Sequence, residues 1–134
     1  MSAIELTRQY HFSAGHRLES ADFSPEDNAR IYGQCYRQHG HNYLVEVTVG
    51  GRLDPVTGMA TDLGALDAAV KRLILDRVDH YDLSSAVTAL TGVTTTGENL
   101  ARAFWEWIEL ALPRGSLRRV AVVETDNNTF EYRG

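Results

Sequence analysis

Cysteine and basic charge are both scarce in this sequence. Cys35 is the only cysteine among 134 residues, which excludes an internal disulfide and predicts a thiol that stays reduced in a reducing compartment. Lysine and arginine number 13 against 18 acidic residues, so the formal net charge is −5, and no basic run stands out. Binding to nucleic acid through its phosphates is therefore not expected.

Long hydrophobic runs are also missing. No apolar run approaches the roughly 18 residues that a membrane span requires, and the first residues lack a basic region followed by an apolar segment. We therefore expect a cytoplasmic protein without a membrane partner. The sequence has no repeat, low-complexity tract or linker, and its 43% hydrophobic and 23% charged residues are typical of a globular protein. One domain over residues 1–134 is predicted.

Hydrophobic periodicity predicts four strands, two main helices and one short helix. Apolar side chains alternate from Ile4 to His16, which is typical of a strand with one buried face. Capping residues, prolines and glycines mark the helix ends, and Thr95 with Glu98 matches a capping box. The predicted strands cover residues 4–16, 39–53, 117–125 and 129–132, with pairing resumed at 59–61, and the helices follow Ser24, Asp62 and Thr95.

The order of these elements predicts the fold class. Two strands, two helices and two further strands are typical of an α+β protein in which both helices cover one face of a four-stranded antiparallel sheet. Such a sheet has two long edges, and proteins protect exposed edges by pairing or by cover. Association of several copies through the sheet edges would provide that protection.

Three histidines form a candidate metal site. Side chains two apart on a strand leave the same face roughly 6–7 Å apart, so His39 and His41 can approach one ion. His16 continues the apolar face of the first strand. Three neutral imidazoles with one open position are the catalytic pattern for zinc, whereas Cys35 as a fourth ligand would close a structural site. The spacing is compatible with both arrangements.

Two further positions carry candidate chemistry. Cys35 can act as a base only as a thiolate. Asp79 and His80 are neighbours in the sequence: the imidazole of His80 could take the thiol proton, and the carboxylate of Asp79 could orient that imidazole. Glu124 shares the parity of Val120 and Val122, so an acid stands in an apolar row. A buried carboxylate needs a partner, and a ligand edge with two parallel N–H donors would suit it. Alternatively, Glu124 marks a strand end that emerges into solvent.

The sequence resembles the 6-pyruvoyltetrahydropterin synthase / 6-carboxytetrahydropterin synthase family over essentially its whole length. The resemblance implies the tunnelling fold (T-fold), in which trimers close an antiparallel barrel and two trimers stack into a homohexamer with active sites between subunits. The matching segments occur in family order: Phe12-Ser13-Ala14-Gly15-His16, Cys35–Tyr43, Leu53–Met59, Asp79-His80, Thr95–Leu100 and Val123-Glu124-Thr125.

The resemblance also implies residue roles. His16, His39 and His41 would hold catalytic zinc, and Cys35 would be the catalytic cysteine, activated by Asp79 and His80 of a neighbouring subunit. Glu124 would anchor the pterin ring of the substrate, 7,8-dihydroneopterin triphosphate, through the 2-amino and N3 positions. Zinc would chelate the side-chain hydroxyls while Cys35 removes a proton, His80 shuttles protons and triphosphate leaves. Glu98 matches a family motif near the pterin pocket. Because the usual form of that motif lacks the glycine at Gly97, Glu98 is not included among the predicted site residues.

The family forms two products from this substrate. The three-residue gap between Cys35 and His39 resembles the group that forms 6-carboxy-5,6,7,8-tetrahydropterin with release of acetaldehyde, on the route to queuosine. Residues 32–35 and 123–128 look more like the group that forms 6-pyruvoyltetrahydropterin, on the route to tetrahydrobiopterin. We expect the carboxy product and keep the pyruvoyl product as the alternative. A non-catalytic binding module stabilised by zinc is the second alternative.

Overall fold

The protein forms one four-stranded antiparallel sheet with strands in the order β1-β2-β3-β4. The computed structural model describes residues 3–134. This architecture confirms the predicted α+β class and the predicted sheet. The strands are β1 (Ala3–His16), β2 (His39–Arg52), β3 (Leu117–Thr125) and β4 (Asn128–Tyr132).

A long hairpin of β1 and β2 dominates the sheet. Its register runs without interruption from Ala3 opposite Arg52 to His16 opposite His39. Side chains on the helix-covered face are buried at one end of β1, where Phe12 is 3% exposed, whereas Ile4 at the other end is 42% exposed. The core therefore lies under the end of the hairpin that carries the histidines.

Helices cover one face of the sheet. The helices are α1 (Pro25–Tyr32), α2 (Leu63–Val70), α3 (Asp76–Val78) and α4 (Gly97–Ile108), and a π-helical turn at Lys71–Leu75 joins α2 to α3. Short 3-10 turns lie at Gly33–Tyr36, Thr88–Leu90 and Glu109–Ala111. Ser24 caps α1 and Asp62 caps α2, as the sequence indicates. Among the described residues, no helix is long and apolar enough to cross a membrane.

The core is formed between this face and the helices. The apolar face of α4 is buried, and it packs with α2 against the inward side chains of β2 and β3. Fully buried members are Tyr43, Val45, Val47, Val70, Ile74, Val78, Leu83, Leu100, Phe104, Ile108, Val120 and Val122.

Two local predictions were wrong. The cap of α4 is Thr96, whose hydroxyl accepts from the Asn99 amide at 3.3 Å, so the helix begins one residue later than the Thr95 capping box implies. Residues 59–61 do not resume pairing; they bend across the end of β2. The Ala60 carbonyl approaches Gly51 so closely that a Cβ there would lie 2.0 Å from it.

The close approach at Gly51 predicts a stability effect. Gly51→Ala would force the Ala60 backbone to move, and we expect it to lower the free energy of unfolding by about 1–3 kcal/mol. Gly64→Ala is the matched control, because a Cβ on this α2 residue meets only Asp62 Oδ1 at 3.5 Å. Urea denaturation of both variants measures the effect. Equal free energies of unfolding for the two variants would show that the Ala60 backbone moves aside without destabilising the protein.

Candidate metal centre

The structure brings His16, His39 and His41 together at the end of the β1–β2 hairpin. One ring nitrogen from each lies within 4.8 Å of the corresponding atom of the others. The ring centroids are 4.6 Å apart for His16 and His39, 5.1 Å for His16 and His41, and 4.9 Å for His39 and His41. His16 is 1% exposed and the other two are partly buried. The cluster is a group that could hold a metal ion.

Hydrogen bonds determine which ring nitrogen stays free in His16 and in His39. His16 Nδ1 lies 3.0 Å from the Thr95 carbonyl oxygen, and His39 Nδ1 lies 2.6 Å from that of Arg37. Because a carbonyl oxygen only accepts, each Nδ1–H donates and each Nε2 keeps its lone pair. His41 Nε2 is buried and has no hydrogen-bond partner among the described residues. The Nε2 atoms of His16 and His39 and the unpartnered Nε2 of His41 are therefore available to a metal, and this donor set fits zinc.

Burial favours the neutral form of His16 and His41. It lowers the pKa of His16 to about 4, with a smaller contribution from His39. Burial also lowers the pKa of His41, although the carboxylate of Glu124 acts in the opposite direction. Neutral imidazole is the form that binds a metal, so these two histidines are prepared for coordination at neutral pH.

Tyr43 forms the base of the cluster. It is 0% exposed, and its ring stacks on Phe12 with centroids 4.7 Å apart. Its Oη lies 3.4 Å from His16 Nε2 and 3.5 Å from Nδ1. Burial raises the pKa of Tyr43, so the phenol remains protonated. Tyr43 is not among the site residues predicted from the sequence, although its parity with His39 and His41 is the signal that places it on the same face.

Glu124 lies beside the cluster on the inward face of β3. Its side chain is 17% exposed, and Oε1 is 4.0 Å from His41 Nε2, too far for a hydrogen bond. The carboxylate is therefore next to the histidines and keeps both oxygens for a ligand.

Glu98 is exposed in the first turn of α4. An acid at a helix N-terminus interacts favourably with the helix dipole, which accounts for Glu98 without a role in binding. The preceding Gly97 has a packing role: a Cβ there would lie 1.9 Å from the Phe130 ring. Glycine at this position therefore allows β4 to pack against the start of α4.

Cys35 lies in the 3-10 turn that precedes β2 and is partly buried. Its carbonyl oxygen accepts from the Leu18 amide at 2.8 Å, which ties this turn to the segment just after His16. In residues 3–134, the cluster of candidate ligand atoms contains the three histidines and not Cys35. The geometry therefore leaves the thiol outside the group of candidate ligands, and a metal held by the three histidines would keep a coordination position open.

Asp79 and His80 form a pair at the outer edge of β1. His80 Nδ1 lies 2.9 Å from Asp79 Oδ1, and that carboxylate also accepts from the Ser13 amide at 3.0 Å. The His80 amide donates to the Ser13 carbonyl at 2.6 Å, and its backbone is held at a positive φ of 65°. The His80 side chain is 81% exposed, and within the described part of the chain it makes no hydrogen bond to Cys35.

Fold and site together define an α+β protein whose sheet carries a three-histidine ligand set beside an acid. The family model described as "6-pyruvoyl tetrahydropterin synthase" matches residues 5–134. The chain belongs to this family. Membership confirms the predicted family and the predicted enzyme class, which is a lyase.

Individual relatives agree with this family assignment. A Poecilia reticulata protein named 6-pyruvoyl tetrahydrobiopterin synthase is 43% identical over 131 residues, which cover 96% of this chain and 89% of that protein. The Homo sapiens protein of the same name is 41% identical over 97% of this chain and 91% of its own length. The solved structure of Caenorhabditis elegans 6-pyruvoyl tetrahydropterin synthase superposes with a TM-score of 0.94 at 34% identity, covering 100% of this chain and 97% of that one. This likeness confirms the T-fold topology of the subunit.

Our expectation of the carboxy product was wrong. Relatives at 40–43% identity are named for the pyruvoyl product, whereas an Aquifex aeolicus protein named 6-carboxy-5,6,7,8-tetrahydropterin synthase is 27% identical over 161 residues, 96% of this chain and 97% of that protein. The gap between Cys35 and His39 leads from the 3-10 turn into β2, and its length was a poor guide to the product. The resemblance at residues 32–35 and 123–128 was the better guide.

Proposed function

We propose that the protein converts 7,8-dihydroneopterin triphosphate to 6-pyruvoyltetrahydropterin with elimination of triphosphate, as a zinc-dependent lyase of the tetrahydrobiopterin route. The observation that carries the proposal is the cluster of three histidines, whose ring nitrogens lie within 4.8 Å of one another beside Glu124 in a chain of this family. His16, His39 and His41 would hold the zinc. Zinc bound there would acidify the C–H bonds next to the substrate hydroxyls.

Incubation of the zinc-loaded protein with 7,8-dihydroneopterin triphosphate tests this proposal. We expect release of triphosphate and formation of 6-pyruvoyltetrahydropterin, measured by chromatography of the pterins. Formation of 6-carboxytetrahydropterin with acetaldehyde would contradict the product, and absence of triphosphate release would contradict the lyase activity.

Cys35 would remove the substrate proton as a thiolate, and His80 would accept and return protons at Nε2. Asp79 supports this role because it holds His80 Nδ1–H and leaves Nε2 available. The exposed position of His80 at the edge of β1 favours action on a second copy of the chain. A homohexamer built from two trimers, with each active site between subunits, would bring Cys35 of one copy to His80 of another and would protect the sheet edges.

A complementation experiment tests the shared site. We expect Cys35→Ser and His80→Ala, each inactive alone, to regain activity when unfolded together and reassembled, because some interfaces then combine both unaltered residues. About a quarter of the wild-type activity is the expected limit for random mixing. Mixed assemblies that stay inactive would show that Cys35 and His80 serve one active site within the same chain.

Glu124 would bind the pterin edge with its two carboxylate oxygens. Glu124→Gln replaces one acceptor with a donor, so we expect KM for the substrate to rise about 10–100-fold, because charged hydrogen bonds contribute about 1.5–3 kcal/mol. Glu106→Gln is the control, since Glu106 is an exposed residue of α4 paired with Arg102. Steady-state kinetics of triphosphate release measure both variants. An unchanged KM in Glu124→Gln would exclude the anchoring role.

A further inference from the structure

The hydroxyl of Tyr43 is buried beside the three-histidine cluster, where the described residues give it no well-aligned hydrogen-bond acceptor. Among the described residues, Oη lies within hydrogen-bond distance only of the two ring nitrogens of His16, at 3.4 and 3.5 Å. His16 Nδ1 carries its proton toward the Thr95 carbonyl and cannot accept. Nε2 is almost as far from Oη as Nδ1 is, so Oη lies to one side of the His16 ring and not on the axis of the Nε2 lone pair that a metal would take.

A buried hydroxyl without a partner is unfavourable, so the phenol needs another acceptor in the metal-loaded protein. The ring cannot turn away easily, because Tyr43 is 0% exposed and stacks on Phe12 at an interplanar angle of 9°. Zinc–nitrogen bonds are about 2.0–2.1 Å long, so Oη lies in the layer of atoms just outside the ligands of an ion at His16 Nε2. An oxygen of a molecule bound at the open position would lie in the same layer and would supply the acceptor.

We propose that Tyr43 is a catalytic residue that donates its phenolic hydrogen bond to the substrate hydroxyl oxygen placed at the open position of the three-histidine site. The proposal rests on the proposed lyase function. As the neighbouring C–H loses its proton, negative charge develops on this oxygen. A fixed donor then binds the oxygen more strongly than in the ground state, which accelerates the step. Tyr43 donates throughout and keeps its own proton.

The test compares Tyr43→Phe with Tyr132→Phe in the full-length protein. Tyr43→Phe removes one oxygen and retains the ring that packs on Phe12. Tyr132→Phe makes the same change in β4, where Tyr132 packs against Trp105 with ring centroids 5.6 Å apart. We expect kcat for triphosphate release to fall about 100-fold in Tyr43→Phe and to stay unchanged in Tyr132→Phe.

Substrate binding gives a readout that does not depend on turnover. In the Cys35→Ser background, loaded with cobalt(II) in place of zinc, the visible absorption bands report the binding of 7,8-dihydroneopterin triphosphate. We expect the added Tyr43→Phe change to leave the cobalt content at its original level and to raise the dissociation constant about tenfold. The added Tyr132→Phe change should leave both quantities unaltered.

Two outcomes would overturn the proposal. If kcat and the dissociation constant of Tyr43→Phe are both within twofold of the values for Tyr132→Phe, the hydroxyl of Tyr43 does not contact the substrate. Loss of metal from Tyr43→Phe would show that Tyr43 supports the histidines instead. Failure of the wild-type protein to release triphosphate is a different result, because it contradicts the proposed function and not the comparison of the two tyrosines.

Discussion

Cys35→Ser is expected to retain the metal and the fold while losing triphosphate elimination. The three Nε2 donors come from histidines, and the thiol lies outside the ligand set in the described structure, so its loss removes no ligand. A serine hydroxyl ionises far less readily than a thiol, and we expect the rate of triphosphate release to fall by about 10²–10⁴-fold. Metal analysis, thermal unfolding and the release assay measure the three quantities.

Gln34→Ala is the matched control for this experiment. Gln34 precedes Cys35 in the same 3-10 turn, and its side chain is exposed. A normal rate in Gln34→Ala assigns the effect to the thiol and not to disturbance of the turn. If Cys35→Ser instead lost its zinc and unfolded, the site would be a closed structural one, and the non-catalytic binding module would be the better interpretation.

His41→Ala is expected to lose the metal. His41 Nε2 is the buried nitrogen without a partner among the described residues, so its removal deletes a ligand and breaks no hydrogen bond of that atom. Loss of an outer partner of a ligand costs about 10–100-fold in metal affinity, so loss of the ligand itself should exceed about 100-fold. Competition with a chromophoric chelator measures the affinity.

His11→Ala is the control for metal binding. His11 lies on the same hairpin, but its side chain is exposed and has the opposite parity to His16. Its replacement should leave the metal content unchanged. Equal metal content in His41→Ala and His11→Ala would show that the three-histidine cluster is not the metal site.

The face on which the candidate ligands lie could be predicted from the sequence. Strand residues alternate between faces because of the local backbone geometry, so the parity of His16 with Phe12 and of His39 with His41 places three imidazoles on the covered face. The helix caps Ser24 and Asp62 follow from similarly local hydrogen bonds. These features depend on neighbours within a few residues.

Only the tertiary structure decided how those side chains are held. The tautomer of His16 depends on the carbonyl of Thr95, which is 79 positions away in the chain. The position of His80 depends on hydrogen bonds to Ser13, and the burial of Tyr43 depends on Phe12 beneath its ring. The sequence by itself determined which residues share a face, because that is a property of the local backbone. Packing between distant segments decided the rest: which nitrogen of His16 is free, that the hydroxyl proton of Tyr43 lacks an acceptor, and that the imidazole of His80 reaches outward.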